Sequence, residues 1–144
     1  MAESQLVPLI AAIYEYQAAY LEPKLKKIGL SLGSFQLLAA VHAAGEGASQ
    51  IDIARRLGIA PATLSETVQI QVNNGMLEQV TSKVDRRVKS LVLTNDAKKK
   101  LEEVRKMIQQ LEQAMLAKLP PANLNVTLST LETVLDNVEE ILEN

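Results

Sequence analysis

The sequence predicts a mainly α-helical fold that carries one small β-hairpin, and three observations support this. Two short helical segments, residues 49–57 and 61–74, are separated by a glycine turn. Two alternating apolar segments, residues 77–82 and 88–93, flank a basic loop. Long helical patterns occupy the rest of the chain. We therefore predict a winged helix-turn-helix inside a dimerisation frame of long helices.

Composition limits the kinds of function that the chain can have. Its 144 residues, 47% of them hydrophobic, suffice for one domain with one core. It has no cysteine and a single histidine, His42, which excludes disulfides, thiol chemistry and histidine-rich metal sites. Three tyrosines and one phenylalanine are too few to stack on single-stranded nucleic acid. We expect no cofactor.

The chain shows no sign of a membrane or export signal. No apolar segment reaches the roughly 18 residues that a membrane-crossing helix needs. The N-terminal sequence MAESQLVPLI lacks the positive charge that precedes the apolar part of a signal peptide. These features favour a cytoplasmic location without membrane binding.

The first two helices are predicted from apolar side chains that recur at intervals of three and four. The first covers residues 4–27, and Pro23 is expected to kink or interrupt it near its end. Gly29 then stops it. The second covers residues 31–44 with Ser31 as its N-cap. Its apolar face comprises Phe35, Leu37, Leu38, Ala40 and Val41.

The helix-turn-helix follows from capping and turn residues. Ser49 caps the third helix, residues 49–57, and Gly58 supplies the turn. Pro61 suits the first position of the fourth helix, residues 61–74, because its missing N–H is not needed there. The predicted core positions are Ile51, Ile53, Ala54 and Leu57 in the third helix, and Leu64, Val68 and Val72 in the fourth.

The other face of the fourth helix is short and polar near its N-terminus. Its members, here called the recognition face, are Pro61, Ala62, Thr63, Ser65, Glu66 and Gln69. Such side chains can approach base edges closely, with hydroxyls as donors or acceptors and glutamine suited to adenine. The face carries no lysine or arginine, and Glu66 is acidic, which argues against strong DNA binding.

The hairpin loop supplies the positive charge. Residues 81–89 contain one acid, Asp85, against the bases Lys83, Arg86, Arg87 and Lys89, whereas residues 95–144 hold nine acids and six bases. An acidic frame with one basic projection is compatible with a DNA contact, and arginine at a flexible tip can enter a narrow minor groove. A solvated charged turn is the alternative.

Two further helices are predicted at the C-terminus. The first begins after the cap Thr94 and ends near Lys118, before Pro120–Pro121. The second begins within residues 122–125, and its apolar residues alternate spacings of four and three, which is typical of a coiled coil. This seam comprises Leu124, Leu128, Leu131, Leu135, Val138 and Leu142. We expect it to meet a partner subunit; the alternative is packing on the chain's own core.

With these elements in place, the sequence resembles the MarR family of bacterial transcriptional regulators over nearly the whole chain. The resemblance lies in ARRLGI, NNGMLEQV and DRRVKSLVLT, with LKKIGLSLGSFQLLAAV similar to the family's entry into its second helix. The Asp-Arg-Arg wing at Asp85, Arg86 and Arg87, followed by Leu93 and Thr94, is its most recognisable part.

The resemblance implies a homodimer and a partner, double-stranded DNA. One domain, residues 1–144, would contain a DNA-binding lobe at 31–94 and dimerisation helices at 1–30 and 95–144. The recognition face (Pro61, Ala62, Thr63, Ser65, Glu66 and Gln69) would enter the major groove. Arg87, with Arg86 beside it, would reach the minor groove.

Many members of the family are released from DNA by small phenolic or other anionic effectors that bind between the lobe and the dimer helices. Tyr16 and Tyr20 share one face of the first helix, which borders that crevice, and could contact a planar ligand. His42 completes the candidate ligand set. Packing of the tyrosines in the dimer core, and of the histidine at its helix end, is the alternative.

Several residues depart from the family pattern, and most of the changes remove positive charge. Glu66 and Ile70 stand where a basic residue is frequent, Gln79 where an arginine is common, and Gln71 where a buried leucine is usual. Because phosphate neutralisation supplies much of the affinity for DNA, we expect weak, salt-dependent binding. We predict a repressor relieved by a small molecule, with a protein-interaction module on the same fold as the alternative. No catalytic motif points to an enzyme.

Overall fold

The computed structural model describes residues 5–143, which form six helices and one two-stranded sheet. The helices are α1 (Leu6–Lys27), α2 (Leu32–Ala44), α3 (Gln50–Leu57), α4 (Pro61–Asn73), α5 (Asn95–Met115) and α6 (Pro121–Glu143). Strands β1 (Leu77–Thr81) and β2 (Lys89–Leu93) pair antiparallel, with Gln79 opposite Leu91. The predicted fold class, mainly α with a hairpin wing, is confirmed. The predicted helix start at residue 4 lies outside the described residues.

The chain divides into two compact units, residues 1–108 and 109–144. The first contains α1 to α4, the hairpin and most of α5, and the second contains the end of α5 and α6. The proposed division into a lobe and dimerisation helices stays a prediction.

Helix α1 continues through Pro23, so the expected interruption at this residue is wrong. Proline removes one helical hydrogen bond, to the carbonyl four residues earlier. That carbonyl belongs to Ala19, which is exposed, as is Pro23 itself. Because solvent can reach this part of the helix surface, the unpaired carbonyl costs little.

The core of the first unit is built by apolar side chains from α1 to α4, the hairpin and the first part of α5. Its most deeply buried large residues are Leu25, Leu37, Leu38, Ile53, Leu64, Val68, Leu77, Leu91 and Val104. The expected core position of Ile51 is wrong, because this side chain is 60% exposed. Ile53 and Ala54 face inward on the short α3, and Ile51 lies about 200° around the helix from Ile53.

Glycine ends α4 where the sequence predicts it. Gly75 has a φ of 75°, in the left-handed region that favours glycine. Its N–H donates to the Val72 carbonyl at 3.1 Å, and the Met76 N–H donates to the Gln71 carbonyl at 2.8 Å. This pair of bonds is a Schellman cap. It turns the chain directly from α4 into β1.

The C-terminal helices differ slightly from their predicted bounds. Helix α5 ends at Met115, three residues earlier than expected, and a turn with Lys118 at φ 69° follows. Helix α6 begins at Pro121, one residue earlier than expected, because proline is well tolerated at a first helical position. The strands lack the predicted terminal residues Ser82 and Val88.

Candidate nucleic-acid interface

The helix-turn-helix is fixed by local caps. The Ser49 hydroxyl accepts a hydrogen bond from the Asp52 N–H at 3.1 Å and so caps α3. Gly58 ends the helix in the left-handed conformation at φ 66°. Pro61 then opens α4 at its first position, as the sequence predicts. The short turn between Gly58 and Pro61 therefore sets the direction in which α4 leaves α3.

Helix α4 presents its recognition face to solvent. All six predicted members are exposed: Pro61, Ala62, Thr63, Ser65, Glu66 and Gln69. The opposite side is anchored by the buried Leu64, Val68 and Gln71. Val72, expected at the buried edge, is only half-buried, since Gln71 occupies the position one turn beyond Val68. The buried side of α4 thus holds the recognition face towards solvent. The role of this face in reading DNA stays a prediction.

Gln71 is an amide inside the core, where it is 2% exposed. Its Nε2 donates to the Ser34 hydroxyl on α2 at 2.8 Å, and this hydroxyl also receives a hydrogen bond from Ser31 Oγ at 2.8 Å. A buried amide is tolerated only with such a partner. The contact ties the recognition helix to the cap of α2.

The wing, residues 77–93, closes in a compact loop. The Ser82 hydroxyl accepts hydrogen bonds from the N–H groups of Val84 and Asp85, both at 3.2 Å. The Asp85 carboxylate in turn accepts the Arg87 backbone N–H at 3.0 Å and its guanidinium at 3.1 and 3.3 Å. Asp85 therefore shapes the loop and also holds the arginine at its tip.

Arg87 and Arg86 both lie exposed at the wing tip, where the sequence predicts them. Hydrogen bonds from the Arg87 side chain and backbone hold the pKa of the Asp85 carboxyl below its usual value. The Arg87 side chain is 91% exposed. A pair so open to solvent contributes little stability, so a phosphate or a narrow groove can compete for the guanidinium.

Helix α3 adds a second, smaller basic feature next to α4. Arg55 pairs with Asp52 at 3.3 Å, with both side chains largely exposed. Arg56 is exposed beside it. The positive charge near the recognition face therefore comes from the wing and α3, because α4 itself supplies none.

A cleft of about 290 Å³ lies where α3, α4 and the wing meet. Its lining comprises Ser49, Gln50, Ile51, Pro61, Ser65, Arg87, Val88 and Lys89. Two basic side chains and the hydroxyl of Ser65 thus share one concave surface. This explains the exposure of Ile51, whose side chain forms part of the wall.

Sequence reasoning missed one residue of this cleft, Gln50. Its side-chain amide accepts a hydrogen bond from Gln79 Nε2 at 2.6 Å and donates one to Ser65 Oγ at 3.0 Å. The three residues come from β1, α3 and α4. They are far apart along the chain and follow no periodic pattern, so nothing in the sequence pointed to the set.

The MarR family model matches residues 28–88, from the end of α1 to the wing. A MarR transcriptional regulator from Methanosarcina mazei Go1 shares 21% identity and superposes with a TM-score of 0.85, covering 94% of this chain and 97% of its own. A MarR family regulator from Silicibacter pomeroyi shares 25% identity, with a TM-score of 0.81 and coverage of 94% and 91%. Residues 28–88 of this chain thus match the MarR family, and the whole chain resembles solved MarR-family regulators in fold.

The DNA complex of MepR from S. aureus is also similar, at 20% identity and a TM-score of 0.81, and covers 94% of this chain and 99% of MepR. At that identity the likeness establishes the fold. MarR family members are transcription regulators rather than enzymes, which confirms that expectation from the sequence. In residues 5–143, no helix has both the length and the apolar character to cross a membrane, and no metal-binding cluster of His, Asp or Glu occurs.

The structure does not bring the three candidate ligand residues together. Tyr16 is 78% exposed, and Tyr20 is half-buried with the Lys24 ammonium 4.2 Å from the centre of its ring. His42 borders a cavity of about 270 Å³ between α2 and α5 that neither tyrosine lines. The cavity's other lining residues are Phe35, Ala39, Lys98, Leu101, Glu102, Arg105 and Ile108.

Proposed function

We propose that this MarR-family chain is a homodimeric regulator that binds specific double-stranded DNA sequences. The observation that supports this best is the arrangement of α4 and the wing. The recognition face points to solvent while Leu64 and Val68 anchor the other side, and Arg87 stands exposed at the wing tip. The similar MepR has been solved in complex with DNA. A regulator of this kind acts where the DNA is, so we also propose a cytoplasmic location.

The two DNA-facing elements would have different tasks. The wing, with Arg86, Arg87, Lys83 and Lys89 exposed, would supply most of the attraction to phosphates and a minor-groove contact. Helix α4, which is neutral apart from Glu66, would contribute short polar side chains to base edges in the major groove. With so few cations, affinity should be modest and should fall with salt by a slope that reflects those few phosphate contacts.

Dimerisation is supported by the exposure of the α6 seam. Its central residues Leu128, Leu131 and Leu135 are 47%, 43% and 58% exposed within the single chain. Apolar side chains at coiled-coil spacing are stabilised when a second helix covers them. Leu9 and Ile10 on α1 are exposed as well, at 59% and 41%. A twofold dimer would place its two α4 helices about 34 Å apart on a palindromic site.

We further propose that the protein is a repressor that a small phenolic or other anionic molecule relieves. The cavity between α2 and α5 supports this, because apolar walls that include Phe35 and Leu101 stand beside the cation Lys98. Arg105 also lines the cavity, where it pairs with Glu102 at 2.6 Å. Such a lining suits an aromatic anion. His42 borders this cavity. Tyr16 and Tyr20 do not line it, so they would contact a different part of the ligand or pack in the dimer interface.

The test is DNA binding to fragments of the gene's own upstream region, measured by mobility shift at low and high salt. Arg87→Ala should weaken binding about five- to a hundredfold and reduce the dependence on salt. Lys106→Ala removes one exposed positive charge from α5 and serves as the matched control, with affinity close to the wild type. Equal affinity of Arg87→Ala and the wild type would refute the role of the wing.

The second candidate is a protein-interaction module on the same fold. The recognition face favours it, because that face lacks lysine and arginine and includes Glu66. If the wild type bound neither its own upstream DNA nor genomic DNA at low salt, while it formed a stable heteromeric complex, this candidate would replace the first.

A further inference from the structure

Three polar side chains connect the wing to the recognition helix. Gln79 on β1 donates from Nε2 to Gln50 Oε1 at 2.6 Å, and Gln50 donates from Nε2 to Ser65 Oγ on α4 at 3.0 Å. We propose that Gln50 in this polar relay is a positioning residue that makes the Ser65 hydroxyl a hydrogen-bond donor to an acceptor atom of the DNA. This inference rests on the proposed DNA-binding function and defines the chemistry of its contact.

The two hydrogen bonds determine which atom of each side chain in the relay donates and which accepts. Because Gln79 donates to the oxygen of Gln50, the amide of Gln50 presents its nitrogen to Ser65. The Ser65 oxygen is then an acceptor, and a hydroxyl has one proton of its own to donate. Ser65 is exposed, and within residues 5–143 it receives a bond from Gln50 without donating one to the protein. Its proton is available to a bound molecule.

The relay is held in place by the backbone. Ser49 and Ser90 form an isolated antiparallel bridge, and the Leu91 N–H donates to the Ala48 carbonyl at 3.2 Å. These contacts hold the start of α3 against β2. Since Gln79 lies opposite Leu91 in the hairpin, the side chain of the first α3 residue comes within reach of β1. The relay is therefore organised before any DNA binds, which lowers the entropic cost of the contact.

The surroundings of Ser65 indicate what accepts its proton. The hydroxyl lines the cleft that Arg87 and Lys89 also line, so negative charge is favoured there. DNA offers phosphate oxygens, and in the major groove it offers N7 of purines, O6 of guanine and O4 of thymine. All of these are acceptors. A Ser65 that donates its proton therefore favours positions where the base presents one of these acceptors.

The first experiment is a double-mutant cycle on the full-length protein, with affinities measured by fluorescence anisotropy on an operator fragment. Gln50→Met keeps the length of the side chain and removes both hydrogen bonds. Gln50→Met and Ser65→Ala should each weaken binding about three- to tenfold, the effect of one hydrogen bond. The double variant should bind no more weakly than Ser65→Ala alone. Gln110→Met, an exposed glutamine on α5, is the matched control.

The same cycle on single-base-pair variants of the operator identifies the acceptor. Loss of a phosphate contact weakens binding equally on every variant, whereas loss of a base contact relaxes discrimination at one position. Thermal unfolding of each variant checks that the fold is intact. If Gln50→Met is unstable, Gln79→Met breaks the relay at its other end and should weaken binding in the same direction.

Gln50→Glu tests the direction of the donor. Both oxygens of a carboxylate accept, so Gln79 would still donate to Glu at this position, and the Ser65 proton would be drawn to the second oxygen. The added charge also repels phosphates, but salt screens that effect. At high salt we expect the deficit of Gln50→Glu to equal that of Ser65→Ala. If Gln50→Glu bound as tightly as the wild type at high salt, Ser65 would accept a hydrogen bond from the DNA rather than donate one. That result would overturn the inference.

The outcomes separate this inference from the proposed function. A wild type that binds no DNA refutes the function, and the inference fails with it. A wild type that binds DNA while Gln50→Met binds equally well refutes the inference alone. Additive losses in the double variant would also refute it, because Gln50 would then act independently of Ser65.

Discussion

Helices α2 and α6 both carry apolar side chains at helical spacing, yet the chain itself buries only those of α2. Leu37 and Leu38 are 1% and 0% exposed, whereas Leu131 and Leu135 of the α6 seam are 43% and 58% exposed. None of the described side chains of α6 is buried. The same kind of pattern thus predicts a helix and its apolar face in both places. It does not say whether the chain or a second copy covers that face.

The largest expected effect comes from a charge in the α6 seam. Leu131→Asp in a twofold dimer removes two buried leucines, about 1.5–3 kcal/mol each, and adds two carboxylates that must be desolvated. The free energy of dimerisation should therefore weaken by about 6 kcal/mol, and the dimer should dissociate at micromolar concentration. Light scattering coupled to size-exclusion chromatography measures the mass directly.

Thr133→Asp is the control for that experiment, because it adds the same charge on the opposite side of α6. It should leave the dimer intact. If both variants stay dimeric, the α6 seam is not the interface, and the contrast between α2 and α6 would need another explanation.

The next effect concerns a leucine that the chain buries by itself. Leu64 on α4 is 0% exposed, so Leu64→Ala should lower the free energy of unfolding by about 2–5 kcal/mol through lost transfer energy and a cavity. Ile70→Ala on the same helix removes a side chain that is 55% exposed and should cost below about 1 kcal/mol. Urea denaturation of both variants gives the two values, and similar losses would contradict the burial of Leu64.

The sequence predicted most of the fold because its signals are local. Ser31, Ser49 and Gly75 cap helices where their residue types predict, and their partners lie within a few positions. Pro23 does not interrupt α1, because the cost of its lost hydrogen bond depends on whether solvent reaches the carbonyl of Ala19, four residues earlier. Ile51 was misjudged because a helix of eight residues has too few turns to define its buried side.

The third effect tests a polar contact in the core of the first unit, the hydrogen bond between Gln71 and Ser34. Ser34→Ala leaves the Gln71 Nε2 donor without its partner at 2.8 Å, which should cost about 1–3 kcal/mol. Adding Gln71→Leu removes the orphaned amide and should recover most of that loss. Thermal unfolding of the single and double variants measures both steps. A double variant as unstable as Ser34→Ala would show that the amide is not the source of the loss.

Less of the candidate interface could be predicted than of the fold. The recognition face and the arginines at the wing tip follow from helical spacing and from one charged loop. Gln50 acts through Gln79 and Ser65, which are 29 and 15 positions away and meet it only once the hairpin has packed against α3. No periodicity encodes such a contact. Side-chain networks between distant elements require the folded structure.

The smallest effect lies at the wing tip, in an ion pair whose Arg87 side chain is 91% exposed and whose Asp85 side chain is 40% exposed. Arg87 lowers the pKa of Asp85 below its ordinary value of 3.8. A lowered pKa in the folded protein means that the pair contributes stability above pH 3.8 and loses it as the pH falls through the lowered value. Between pH 5 and 8 the carboxylate stays ionised, so its charge should not change. A ¹³C NMR titration of the Asp85 carboxyl should show a midpoint below 3.8, and Arg87→Ala should return it towards 3.8. An unchanged midpoint in Arg87→Ala would mean that the pair seen at the wing tip does not persist in solution, and that Arg87 is free for DNA from the start.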